Sequence, residues 1–190
     1  MQIESLHSKQ GKLLDGLKLI KPKIYQDERG FFLESWNKKS FFDRGLDNLD
    51  FIQDNHSYSH KGVFRGFHYQ LPPYPQTKLV RCIVGEIFDI AIDIRRSSSS
   101  FGHWAGVNLT STNFHQLWVP EGFAHGFLTL SEKAEVLYKV TNYWHKDCER
   151  IISWKDPSLS IDFPFNGSLK LSYKDDNAPC LTELSETDIF

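Results

Sequence analysis

Cysteine is scarce in this sequence: Cys82, Cys148 and Cys180 are the only three among 190 residues, with no CxxC pair. That excludes a disulfide framework and a zinc ribbon. Charge of one sign is missing as well, because 22 Lys and Arg stand against 24 Asp and Glu, a formal net charge of −2. No basic excess is available to hold nucleic acid or a membrane surface. No apolar run approaches the roughly 18 residues of a membrane helix; even IFDIAIDI is broken by Asp89 and Asp93. The opening MQIESLHSKQGKLLDG is polar and lacks a signal-peptide core. A cytoplasmic protein is therefore expected, with neither nucleic acid nor membrane as partner. There is no GxxxxGK[ST], no GxGxxG, no GxSxG and no HExxH. A phosphate-cradling loop, a Rossmann dinucleotide site, a hydrolase elbow and a zinc-protease helix drop out with them.

Aromatic residues are abundant: 15 Phe, 7 Tyr and 5 Trp, or 14% of the chain. Such side chains fit pleated, half-buried surfaces, so the composition leans toward strands. Phe88, Ile90, Ile92 and Ile94 alternate with Asp89, Ala91, Asp93 and Arg95, a clean period of two. Gly85-Glu86, just before, reads as the tip of a hairpin. Further alternating runs at 105–109, 115–119, 125–130 and 135–144 are punctuated by SSSSFG, TSTN, PEG and LSEK. Short strands at this spacing predict an all-β sandwich or jelly-roll barrel rather than βαβ units. A short helix is expected after Asn37, stopped at Gly45, and another near the end in LTELSETDIF. The length suits one domain over 1–190, with peripheral segments at about 1–25 and 176–190.

Two of the eight histidines stand in unusual company. His68 lies in VFRGFHYQ, where Arg65, Gly66, His68 and Gln70 crowd together, and strong polar groups are costly inside a barrel. His125 lies in VPEGFAHGF, whose PxGxxH is similar to the second motif of cupin barrels. A cupin metal centre would need HxH and a carboxylate in the first motif. Here that stretch reads His68-Tyr69-Gln70, followed by Pro72, Pro73 and Pro75. Two candidate ligands fall short of the three protein ligands of a catalytic metal site, so none is expected.

The motifs RGFHYQ (65–70), QTKLVRCIVGEIFDIAIDIR (76–95), FGHW (101–104), LWVPEGFAHGF (117–127), VLYKVTNYW (136–144) and LSYKD (171–175) together resemble the dTDP-4-dehydrorhamnose 3,5-epimerase family. The likeness runs from about Asp27 to Pro179. It implies a cupin-type jelly roll with short peripheral helices, working as a homodimer on a nucleotide-linked 4-keto-6-deoxyhexose, without metal or organic cofactor. By resemblance His68 is the base, Asp175 its partner, Lys78 the cation that meets the developing O4 oxyanion, and Tyr138 the acid on the opposite face. Gln53, Asn55, Arg65, His125, Glu149 and Lys174 match substrate contacts. Arg29 and Glu34 match residues that one subunit lends to its neighbour's nucleotide site. Read alone, Asp175 would pass for a loop charge, Lys78 for a strand-start lysine, Tyr138 for a core aromatic and DERG for a charged turn.

One position departs from the family. Tyr143-Trp144 stands where two tyrosines are common, and Trp offers only an indole N–H. Inversion of a single carbon, or another nucleotide sugar, is thus the alternative within enzymes. A metal-dependent cupin oxygenase is disfavoured by the missing HxH. A carbohydrate-binding cupin without activity is disfavoured by the acid and base set, which binding alone does not require.

Overall fold

A computed structural model describes all 190 residues. Thirteen strands form three sheets, every pair antiparallel. The six-stranded sheet has the order β1 (Gln2–His7), β2 (Leu13–Lys21), β10 (Gln116–Val119), β7 (Lys78–Val84), β12 (Lys133–Val140), β5 (Gln53–His60). Facing it is a five-stranded sheet in the order β13 (Glu149–Ile152), β6 (Phe64–Gln70), β11 (Phe123–Thr129), β8 (Glu86–Asp93), β9 (Trp104–Thr110). A small hairpin, β3 (Ile24–Asp27) with β4 (Gly30–Leu33), stands outside both. This is the expected all-β, cupin-like jelly roll.

The core between the sheets is aliphatic and aromatic, with Leu17, Val80, Ile87, Leu117, Phe127 and Val136 among its members. A second cluster (Phe64, Phe67, Ile90, Ile92, Leu128) lies on the outer face of the five-stranded sheet. The chain after β13 covers it with Leu159 and Leu181. Both faces of this sheet are therefore buried. The period-two alternation of β8 sorts its residues correctly, yet Asp89 and Asp93 are as inaccessible as the isoleucines.

Two expectations need correction. Gly85 is not a hairpin tip, because β7 and β8 belong to different sheets. It is the corner where the chain crosses the sandwich, at φ +79°, and a Cβ there would lie 2.1 Å from the Lys133 carbonyl oxygen. Only glycine suits such a turn. The segment 1–25 is not peripheral, since β2 is an interior strand that buries Leu14, Leu17 and Ile20 completely. The expected short helix in the C-terminal LTELSETDIF takes the form of two 3-10 turns, Leu181–Glu183 and Glu186–Asp188. The helix after Asn37 is present as α1 (Lys38–Phe42), where Asn37 Oδ1 accepts the Ser40 N–H and Gly45 follows at φ +85°. No helix is long and apolar enough to cross a membrane.

Candidate active site

At one end of the sandwich the core gives way to polar side chains. A pocket of about 200 Å³ opens there, and its walls include Gln53 and Asn55 of β5, His68 of β6, Lys78 of β7, Tyr138 of β12 and Glu149 of β13. The two sheets contribute different groups. His68 and Glu149 come from the five-stranded sheet, whereas Lys78, Tyr138, Gln53 and Asn55 come from the six-stranded one. A larger groove of about 670 Å³ lies beyond β9, but its one imidazole, His103, faces Gln10 rather than a carboxylate.

His68 is oriented by a single helical turn, α2 (Tyr173–Asp176). Its Nε2 lies 2.7 Å from Asp175 Oδ1. Ser172 caps the turn, accepting the Asp175 N–H at 3.1 Å and donating its hydroxyl to Asp175 Oδ2 at 2.7 Å. Burial pushes the Asp175 carboxyl upward, but the hydrogen bonds from His68 and Ser172 outweigh it and leave the group below its usual range. With Nε2–H donated to Asp175, the lone pair of His68 resides on Nδ1. That nitrogen is 3.7 Å from Glu149 Oε1, beyond hydrogen-bond distance. The same turn sends Lys174 to Glu149 Oε2. Burial raises Glu149 too, and the Lys174 ammonium more than compensates. Gly66 makes the docking of α2 possible, since a Cβ there would sit 2.6 Å from Asp175 Oδ1.

Lys78 is only 7% exposed and reaches across the sandwich, donating to the His68 carbonyl oxygen at 3.1 Å. Burial pulls its ammonium down to about 8, with Asp89 and Glu149 opposing the fall. Tyr138 is held high by burial, with Arg65 partly opposing. Arg65 itself is anchored through Nε to Ser59 Oγ at 3.0 Å and through Nη2 to the Tyr58 carbonyl at 3.1 Å. Gln53 Nε2 donates to Asn55 Oδ1 at 2.7 Å.

Of the residues singled out from sequence, His68, Lys78, Tyr138, Glu149, Gln53 and Asn55 share the pocket wall, while Asp175 and Lys174 stand directly behind it. His125 is next to the pocket rather than on it. It pairs with His68 in the β11–β6 register and is buried, with its Nε2 2.7 Å from Asp89 Oδ1. Arg29 and Glu34 are not brought to this pocket within one chain. They belong to the exposed β3–β4 hairpin region, where Arg29 pairs with Asp27 and Glu34 accepts from Asn37 Nδ2 at 2.8 Å.

Sequence reasoning passed over Gln70 as a site residue. Its Nε2 donates to the Tyr74 and Tyr143 carbonyls at 2.7 and 3.1 Å, and its Oε1 accepts the His145 N–H at 2.6 Å. Gln70 thereby ties together the two loops at the pocket mouth, one of which carries Trp144. A glutamine two residues after His68, and so on the same strand face, was the available signal. Asp89 was also passed over, noted only as an interruption of an apolar run.

Comparison with known proteins bears on this arrangement directly. The family model described as dTDP-4-dehydrorhamnose 3,5-epimerase matches residues 12–183. A dTDP-4-dehydrorhamnose 3,5-epimerase of Shigella flexneri is 56% identical over 159 residues, covering 84% of this chain and 87% of that protein. The crystal structure of dTDP-6-deoxy-D-glucose-3,5-epimerase from Legionella pneumophila, in complex with dTDP-4-keto-L-rhamnose, superposes with a TM-score of 0.91 at 44% identity. It covers 99% of this chain and 97% of its own. A 3'-monoepimerase from Streptomyces bikiniensis, in complex with dTDP-quinovose, reaches a TM-score of 0.84 at 29% identity, over 93% of this chain and 88% of its own. A match over most of the chain, in sequence and in fold, means that this chain belongs to the dTDP-4-dehydrorhamnose 3,5-epimerase family.

Proposed function

We propose that this chain inverts C3 and C5 of dTDP-4-dehydro-6-deoxy-D-glucose to give dTDP-4-dehydro-L-rhamnose, without metal or organic cofactor. The observation that carries the reading is the His68–Asp175 pair at a pocket whose opposite wall carries Tyr138 and Lys78. A ketone at C4 acidifies the hydrogens on C3 and C5. His68 Nδ1 takes the proton, the C–H electron pair moves into an enolate, and the charge gathers on O4. Lys78 meets that oxyanion with a fixed positive charge in an enclosed site, where such charges act most strongly. Asp175 holds the imidazole and stabilises the imidazolium, as the carboxylate of a catalytic triad does. Tyr138 delivers a proton to the carbon from the other side, which completes the inversion. Acid and base on opposite faces is what two facing sheets naturally provide.

Gln53, Asn55, Arg65, His125, Glu149 and Lys174 are the proposed substrate contacts, with Arg65 and Lys174 suited to the diphosphate. Arg29 and Glu34 lie away from their own pocket, which supports a homodimer in which each hairpin completes the neighbour's site. Cytoplasmic action fits a nucleotide-sugar substrate. The second reading, inversion at one carbon, is favoured by Trp144 at the pocket wall and by the likeness to a 3'-monoepimerase. Proton NMR of dTDP-4-keto-6-deoxyglucose incubated with the protein in D₂O decides the matter. Deuterium at both C3 and C5 is expected; deuterium at one carbon selects the second reading, and none at either rejects both.

A further inference from the structure

Two carboxylates on β8, Asp89 and Asp93, are completely buried, but the protein treats them differently. Asp93 accepts from the backbone N–H, Nε and Nη2 of Arg95 and from the hydroxyls of Ser98 and Ser100, all at 2.6–3.0 Å. Asp89 has one partner, His125 Nε2, on Oδ1, while its Oδ2 is buried with no hydrogen bond. Leaving a buried carboxylate oxygen bare is costly, and a pair retained only for the fold is expected to be satisfied on both oxygens, as Asp93 is.

The position of Asp89 suggests what the cost serves. His125 stands opposite His68 in the β11–β6 register and opposite Ala91 in the β11–β8 register, so Asp89, His125 and His68 form a polar diagonal. That diagonal crosses an inner face otherwise made of Ile87, Ala91, Phe123 and Phe127. Lys78 reaches toward it from the other sheet. Lys78 shares its pocket with His68 and Tyr69 from β6, Tyr138 from β12 and Glu149 from β13, and Asp89 of β8 lies behind it, held by His125 of β11. Among them the anions are Asp89 and Glu149, and Asp89 exerts the stronger pull on Lys78. Glu149 is already engaged by Lys174.

We propose that Asp89 is a positioning residue whose carboxylate, locked by His125, is the counter-charge that holds the buried Lys78 ammonium in its protonated form. The purpose of that charge rests on the epimerase reading above; its electrostatics do not.

The test is a titration of ligand-free protein carrying ¹³C-labelled lysine, with the Lys78 signal assigned by its loss in Lys78→Arg. In Asp89→Asn the Lys78 midpoint should fall by about one pH unit or more, the scale of a lost neighbouring charge. The alkaline limb of kcat should move down with it, and activity should recover as the pH is lowered. Asp89→Glu, which keeps the charge, should keep the limb near its original place. In a Lys78→Arg background the further change Asp89→Asn should leave the limb unmoved, because a guanidinium does not titrate there. Asp89→Ser removes the charge with a smaller side chain and is read the same way if Asp89→Asn does not fold. A Lys78 midpoint that stays put in a folded charge-removed variant, or a uniform loss of activity with an unmoved limb, overturns the proposal. A shifted midpoint in a protein with no epimerase activity supports the counter-charge and rejects the epimerase reading.

Discussion

The division of labour at residue scale can be separated experimentally because His68 and Tyr138 come from different sheets. Tyr138→Phe removes only a hydroxyl and keeps the ring's packing, so no cavity forms. Base and oxyanion cation remain, and the enolate still forms, but His68 should then return the proton to the face it came from. We expect hydrogen–deuterium exchange with retained configuration, and net inversion lowered by roughly 10²-fold or more. Both are read by NMR in D₂O; wild-type inversion in a folded variant would remove Tyr138 from the role. His68→Asn should abolish exchange at both carbons while leaving nucleotide-sugar affinity, measured by calorimetry, nearly intact. Asn preserves polarity without a titrating nitrogen. Substantial deuterium uptake by that variant would assign the base elsewhere.

At the scale of elements, the four-residue turn α2 has an influence out of proportion to its length. It carries Asp175 to His68 and Lys174 to Glu149, bridging β6 and β13 at the pocket. A helix this short has almost no intrinsic stability. It is kept in place by Ser172, by these two contacts, and by the bare Gly66 beneath Asp175. Gly66→Ala puts a methyl where the Asp175 carboxylate lies, and the flexible side chain is what must yield. The fold should survive with a loss of about 1–3 kcal/mol, the scale of an overpacked site. The base, deprived of its carboxylate, should lose roughly 10²–10⁴-fold in kcat. Thermal denaturation and steady-state kinetics on the same preparation check both halves; full activity would mean that the pair is dispensable.

At the scale of the whole molecule, the exposed β3–β4 hairpin is the element that one chain leaves unexplained. Tyr25, Phe31 and Phe32 on it are more than half exposed. Arg29 and Glu34 flank them, away from their own pocket. A shared site in a two-fold dimer makes a specific prediction. Arg29→Ala subunits are mixed in equal amount with His68→Ala subunits, each preparation inactive by itself, and allowed to re-pair. A mixed dimer contains one pocket with an intact His68 and an intact neighbouring Arg29. Random pairing should therefore restore roughly a quarter of wild-type activity. No recovery after mixing confirmed by native mass spectrometry would exclude a shared pocket.

The strand pattern, the β-sandwich class and the helix capped by Asn37 were legible in the sequence because they depend on neighbours in the chain. Alternation of period two, turn residues and capping are local effects. The motifs around His68, Lys78, Tyr138 and Asp175 were legible only as a resemblance, since nothing in the local chemistry of LSYKD distinguishes a partner of His68 from a loop charge. What the tertiary structure decided is everything that involves pairing at a distance. Gly85 looks like a hairpin turn from either side, and only sheet membership makes it a corner between layers. Residues 1–25 look peripheral until β2 takes its place between β1 and β10 and buries its leucines. Asp89 and Asp93 alternate identically along β8, and no local rule tells them apart. Arg95, Ser98 and Ser100 satisfy one from nearby in the chain, while the other waits for a histidine 36 residues away and leaves an oxygen bare. Burial and charge pairing are properties of the assembled sheets, so the sequence could supply these groups without revealing which of them would be brought together.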